Sequence, residues 1–159
     1  MGGSSFMDMA LAEAEAAGGR GEVPVGAVIV ERASGQVVAR AGNRVEETGD
    51  PTAHAEMLAI RAAIAGPADS PRAGNPHGRA LAGYDLHVTL EPCPMCAQAI
   101  AFAHIDRLYY GAGDPKGGGV EHGPRIFAQP SCHHRPEIYP GIGEKRAAAL
   151  LREFFKALR

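Results

Sequence analysis

The sequence predicts an α/β fold: a three-layer α/β/α sandwich around a mostly parallel or mixed sheet. Short apolar runs of strand length alternate with helical segments along the chain. Glycine and proline clusters punctuate those segments, and no repeat or internal linker interrupts them. At 159 residues the chain has the size of one domain, 1–159, able to bury roughly 70% of the surface its unfolded form exposes.

The elements follow in order. MGGSS precedes Met7 as an appendage, so residues 1–6 are expected to lie at the disordered edge of the domain. Phe6–Ala17 is alanine-rich, places Phe6, Met9 and Ala10 on one face and stops at Gly18–Gly19, which predicts a helix. VGAVIV (25–30) reads as a buried strand, 33–36 as a turn and Val37–Ala41 as the returning strand of a hairpin. Asp50–Pro51–Thr52 starts a second helix over Ala53–Ala65, with Met57, Ile60 and Ile64 in one stripe. Residues 66–83 hold prolines and glycines enough to read as a loop. Leu86–Leu90 is a third strand, and Pro94–Ala103 an almost wholly apolar helix that should be covered on most sides. Leu108–Tyr110 is a fourth strand, 111–130 a glycine-rich irregular segment, and Pro136–Tyr139 a fifth strand. Glu144–Leu158 closes the chain as a helix with Leu150, Leu151, Phe154, Phe155 and Leu158 on one face.

Composition narrows the classes. The net charge is −2, so a polyanionic partner must be met by a local basic patch. Such a patch exists in the last helix, where Lys145, Arg146, Arg152, Lys156 and Arg159 oppose Glu144 and Glu153; a solvated face is the plainer account of the same charges. Lys116, Arg125 and Arg135 add to it. No apolar run approaches the ~18 residues of a membrane span. The N-terminus has no basic region followed by an apolar one, and three cysteines make no disulfide framework, so the expected location is cytoplasmic with reduced thiols.

Two of those cysteines stand in TLEPCPMC (89–96). Pro94 suits the first helical position, which puts Cys93 at the cap and Cys96 in the first turn, on one face. The positive end of the helix dipole favours thiolate there. Two convergent thiolates suit a zinc ion or a redox pair, against the plainer reading of two small buried hydrophobes; no thioredoxin-like aromatic context favours the redox pair. A catalytic zinc takes three protein ligands and keeps one position open. Among seven histidines, His54 in DPTAHAEM opens a helix as Cys93 does, so the two helix starts can face a common pocket. Glu56 lies about 200° around a regular helix from His54, which suits an acid/base group better than a fourth ligand. H-x-E by itself does not distinguish this from an ordinary helix-start histidine. His77, His87 and His104 have weaker claims, and His133–His134 beside Cys132 read as pocket wall. A purely structural zinc would need a fourth ligand, for which Cys132 is the only spare thiol.

H-x-E followed by P-C-x-x-C is the signature of zinc-dependent deaminases. Together with EVPVGAV (22–28), GNR (42–44), DPTAHAE (50–56), VTLEPC (88–93) and DPK (114–116), the chain from about Met7 onward resembles the bacterial tRNA-specific adenosine deaminases of the cytidine/deoxycytidylate deaminase superfamily. The resemblance implies a five-stranded sheet with helices on both faces and a homodimer. It implies one Zn2+ per subunit on His54, Cys93 and Cys96, and Glu56 as the proton shuttle. Around the substrate it places Asn43, the Ala55 backbone, Val25, Asp114, Lys116, His133, His134 and Phe155. The implied reaction is hydrolytic conversion of adenosine to inosine at the wobble position (34) of a tRNA anticodon arm. Related folds deaminate guanine or cytosine with the same zinc motif, which is the alternative. Gly117–Gly119 has no following Lys-Ser/Thr and is no P-loop; it is expected to let the backbone approach RNA or the partner subunit. Phe154–Phe155 reads as core, with base stacking as the other role.

Overall fold

The computed structural model describes residues 3–66 and 81–159, with side chains from Phe6 onward. Most of the expected loop 66–83, including His77, lies outside the described residues. Five strands, β1 (Gly26–Glu31), β2 (Gln36–Gly42), β3 (Tyr84–Leu90), β4 (Arg107–Ala112) and β5 (Glu137–Tyr139), form one sheet in the order β2-β1-β3-β4-β5. β1 runs antiparallel to β2 and β3, while β3, β4 and β5 are parallel. A parallel pair needs a crossover, and the helix between β3 and β4 supplies it. The central strands β1 and β3 are buried along almost their whole length, and β1 accordingly reads as a continuous apolar run.

The helices are α1 (Gly3–Gly19), α2 (Val45–Thr48), α3 (Ala55–Ala65), α4 (Pro94–Ala103) and α5 (Glu144–Ala157), with a 3-10 turn at Ile126–Ala128. One face of the sheet packs Ala27, Ile29, Leu86 and Val88 against Ala59 of α3 and Ile100 of α4. The other packs Val28 and Val30 against Met7 and Leu11 of α1 and Ala147 of α5. The three-layer sandwich with a mixed, five-stranded sheet is therefore present.

Several details differ from expectation. α1 begins at Gly3, and its buried stripe is Met7, Ala10, Leu11, Ala14 and Ala17, one step round from Phe6 and Met9. Alanines let this helix lie close on β1: a Cβ on Gly26 would stand 2.0 Å from the Ala10 carbonyl oxygen. α3 buries Ala55, Glu56, Ala59, Ile60 and Ala63, whereas Ile64 is 38% exposed. The short α2 was not anticipated; buried Glu22 holds it by accepting the N–H groups of Glu46 and Glu47 at 3.0 and 2.8 Å. In α5 only Ala147 is fully buried, and the expected core face ends in exposed Phe155 and Leu158.

Candidate active site

Two helix starts meet at the C-terminal end of β3. His54 is the N-cap of α3 in extended conformation (φ −74°, ψ 151°), and Cys93 is the N-cap of α4 (φ −70°, ψ 170°) with Pro94 next. Cys96 follows in the first turn of α4, fully buried. His54 Nδ1 lies 3.6 Å from Cys93 Sγ and 3.6 Å from Cys96 Sγ. A tetrahedral zinc at ordinary Zn–N and Zn–S lengths separates nitrogen from sulfur by about 3.5 Å, so the three residues fit the ion. Among the described residues these are the His, Cys or carboxylate atoms that converge as a metal set. Cys132 is not in it: its thiol donates to the His134 carbonyl oxygen at 3.1 Å. The structural-zinc arrangement with Cys132 is thereby set aside, and one coordination position stays open.

The three groups hold their protons unevenly. The hydrogen bond from Cys96, then that from His54, pulls the Cys93 thiol down to about 4 against the cost of burial. Cys96 is pushed upward by the same bond to Cys93 and by its own burial. His54 is raised chiefly by its bond to Cys93. Both helix dipoles point their positive ends at this spot and favour the thiolates.

Because His54 precedes the helix instead of lying in it, Glu56 two residues later reaches the same cavity, of about 860 Å3. Glu56 is 4% exposed, and burial pushes its carboxyl up to about 7. Asn43 lies beside it and accepts the Ala55 N–H through Oδ1 at 2.8 Å. That bond fixes the amide and leaves Nδ2 as a donor, while the Ala55 N–H, expected to hold substrate, is engaged by Asn43. Val25 and Phe155 line the cavity as well.

Asp114 also lines it, with its Oδ1 accepting the N–H groups of Lys116 and Gly117 at 3.2 and 2.9 Å. Lys116 lies beyond, in a second cavity of about 1200 Å3 walled by Arg152, Lys156 and Arg159 of α5. Val23, Leu90, Asp114, Gly117, Phe155 and Leu158 border both cavities, so the two form one continuous groove. Arg146 is turned away, bonded to Asp8 at 2.9 Å and paired with Glu15 at 3.7 Å on α1. His133 and His134 are not brought to the groove. His134 Nε2 hydrogen-bonds the Ile105 carbonyl at 2.7 Å and packs on His104, beyond the far end of α4, about 15 Å of helix from Cys93.

Glu91 was the main omission. Its carboxylate is buried and collects the N–H groups of Asp114, Val120, Glu121 and His122 at 3.0–3.1 Å and His122 Nδ1 at 2.6 Å. Burial alone would raise its pKa, but these donors hold it below the usual value. The glycines of 117–119 serve this contact. A Cβ on Gly118 would sit 2.4 Å from Glu91 Oε2, and one on Gly119 would sit 2.5 Å from the Pro94 nitrogen. The close approach expected toward RNA or a partner is made here to the chain's own carboxylate and to the start of α4.

The family model described as the cytidine and deoxycytidylate deaminase zinc-binding region matches residues 3–112. A tRNA-specific adenosine deaminase of Agrobacterium fabrum is 53% identical over 154 residues, covering 97% of this chain and 94% of its own. A solved structure from studies of A-to-I editing by tRNA:A34 deaminases at the wobble position of transfer RNA superposes with a TM-score of 0.83 at 54% identity, over 92% of this chain and 99% of its own. A guanine deaminase from Nitrosomonas europaea, 23% identical with a TM-score of 0.77 over 96% of this chain and 84% of its own, shares the fold. With the His/Cys/Cys set and the buried carboxyl beside it, these matches mean that the chain belongs to the tRNA-specific adenosine deaminases of the zinc-binding cytidine and deoxycytidylate deaminase family.

Proposed function

We propose that this chain hydrolytically deaminates adenosine to inosine at the wobble position (34) of tRNA, using one Zn2+ per subunit held by His54, Cys93 and Cys96. The observation that carries the reading is a buried carboxyl, Glu56, on the same cavity as a three-ligand metal set with an open position. When bound, zinc lowers the pKa of a water to about 7 and so supplies the attacking nucleophile at neutral pH. Glu56 takes the proton of that water and gives it to N1 of the adenine ring as C6 is attacked. Glu56 then takes the remaining proton from the hydroxyl now on C6 and passes it to the 6-amino group, which leaves as ammonia. Burial raises the Glu56 carboxyl, which favours a group that takes up and gives up a proton in turn. Asn43 offers an amide donor to the base, and Val25 packs the cavity wall.

The groove favours RNA over a free base. It continues past the adenosine cavity into a wall of Lys116, Arg152, Lys156 and Arg159, cations suited to the successive phosphates of an RNA strand, which a free base lacks. Exposed Phe155, at the border of the two cavities, is placed to stack a neighbouring base. The target base must be unpaired to enter, as in an anticodon loop. His133 and His134 belong to the site only for a ligand long enough to pass beyond the groove.

The chain acts in the cytoplasm as a homodimer on this reading. No helix among the described residues is long and apolar enough to cross a membrane. α4 leaves Phe102 71% exposed, on the side where Met95 and Ala99 are only partly covered, an apolar stripe suited to a second copy.

The test is incubation with total tRNA, an anticodon stem-loop carrying A34, and free guanine, cytosine and adenosine, followed by inosine and ammonia assays. Inosine at position 34 is expected. Ammonia from guanine or cytosine with no inosine in tRNA would assign the site to small-molecule deamination.

A further inference from the structure

The tRNA reading gives Glu91 no part, yet no other carboxylate among the described residues is shown with so many donors. Five converge on it: Asp114 N–H and His122 Nδ1 on Oε1, and the N–H groups of Val120, Glu121 and His122 on Oε2. Its own N–H donates to the Ala112 carbonyl at 2.8 Å, which joins the end of β3 to the end of β4. The segment it gathers, 113–122, starts at the border of both cavities with Asp114 and Gly117 and carries Lys116 into the cation-lined groove. Gly119 N–H donates to the Pro92 carbonyl at 2.8 Å, so the same segment is tied to the residue before the zinc ligand Cys93. Glycine at 118 is required by the contact, because a Cβ there would collide with Oε2 at 2.4 Å and with the Asp114 carbonyl oxygen at 2.6 Å.

We propose that Glu91 is a positioning residue for substrate: by gathering four backbone N–H groups and the His122 ring, it holds 113–122 in place as the wall of the groove, so that its loss is felt in substrate affinity and not in the metal or the chemical step. It rests on the tRNA deaminase reading for the identity of the substrate alone. An amide in place of the carboxylate sets an NH2 donor against N–H donors, so part of the cluster must come apart. A backbone segment freed in this way samples other conformations, and binding is weakened by the fraction of time the competent one is populated.

The test compares the unmodified enzyme with Glu91→Gln, Gly118→Ala and His122→Ala, all zinc-loaded, on the A34 stem-loop. Expected for Glu91→Gln and Gly118→Ala is about one zinc per chain, kcat within about three-fold of the parent, and KM raised at least about ten-fold, the size of one lost charge-assisted hydrogen bond. His122→Ala keeps the four backbone donors and should move KM the same way by less. Gly118→Ala reaches the same cluster from the loop side, so it decides the matter if Glu91→Gln fails to fold. Unchanged KM, a fall in kcat alone, or zinc loss in every soluble variant overturns the proposal and makes Glu91 a prop for fold or metal. If the unmodified enzyme turns over a free base and not the stem-loop, the tRNA reading fails, and the same KM-against-kcat split with that base decides Glu91.

Discussion

Neutralising the groove cations should flatten the salt dependence of tRNA binding. Lys116, Arg152, Lys156 and Arg159 wall the larger cavity, so up to four phosphates can be met there. Each phosphate neutralised on a single strand adds about −0.7 to the log–log slope of affinity against salt. Four contacts give a slope of about −2.8, hence about a fifty-fold loss of affinity between 50 and 200 mM salt. Arg152→Gln, Lys156→Gln and Arg159→Gln together leave Lys116, a slope of about −0.7, and only a two- to three-fold loss over the same range. Fluorescence anisotropy with a labelled anticodon stem-loop measures both. Arg146→Gln is the internal control: its guanidinium is occupied by Asp8 and Glu15 of α1, so the slope should stay at the parental value. A triple variant with the parental slope would refute the assignment of the groove to RNA. A flattened slope in Arg146→Gln would mean that α5 meets RNA on its other face.

Four further outcomes are expected. Glu56→Ala should abolish turnover while elemental analysis still finds about one zinc per chain, since Glu56 is not a ligand; loss of zinc would contradict its role. Cys93→Ala should lose the metal and with it thermal stability, because ligand binding energy is folding energy; Cys93 makes no side-chain capping bond, so apo parent and apo variant should melt alike. Burial pushes His87 down to about 4 from an ordinary 6.5, so between those pH values the unfolded chain binds a proton that the native one does not, and stability falls as pH drops through the window. The loss by pH 5 is about 2 kcal/mol, and urea unfolding at pH 5 and 7 should show it shrink in His87→Phe, which keeps a ring between Phe6 and Tyr109; an equal loss in both proteins would acquit His87. Phe102→Asp should shift sedimentation from dimer to monomer, and a parental protein that is already monomeric would remove the α4 stripe as an interface.

What could be read from the sequence was whatever local chemistry writes in one place. Pro94 fixes the start of α4, so the cap and first-turn positions of Cys93 and Cys96 followed from spacing. β1 was legible because burial on both faces leaves VGAVIV without a polar position, whereas β3 alternates Leu86, Val88 and Leu90 with buried Asp85, His87 and Thr89. The helix stripes were read one step off where alanine supplied the buried face. Alanine contributes little to an apolar pattern, yet it is the residue that lets α1 lie against Gly26.

The carboxylates were harder, for a physical reason. Glu22 and Glu91 find their partners in backbone N–H groups, from 23 to 31 positions away, and an N–H has no sequence signature. The charges of α5 posed the same problem in reverse. Five basic residues looked alike, until the packing of α1 beside the helix took Arg146 for Asp8 and Glu15 and left Arg152, Lys156 and Arg159 on the groove. The glycine run gives the clearest instance. Three glycines in a row suggest backbone kept free for something outside the chain. Around Glu91 they are the condition for backbone being held, since a side chain at 118 or 119 would break the contact between carboxylate, loop and α4. Composition records that a residue without a Cβ is needed there, and only the position of Glu91 tells which neighbour needs it.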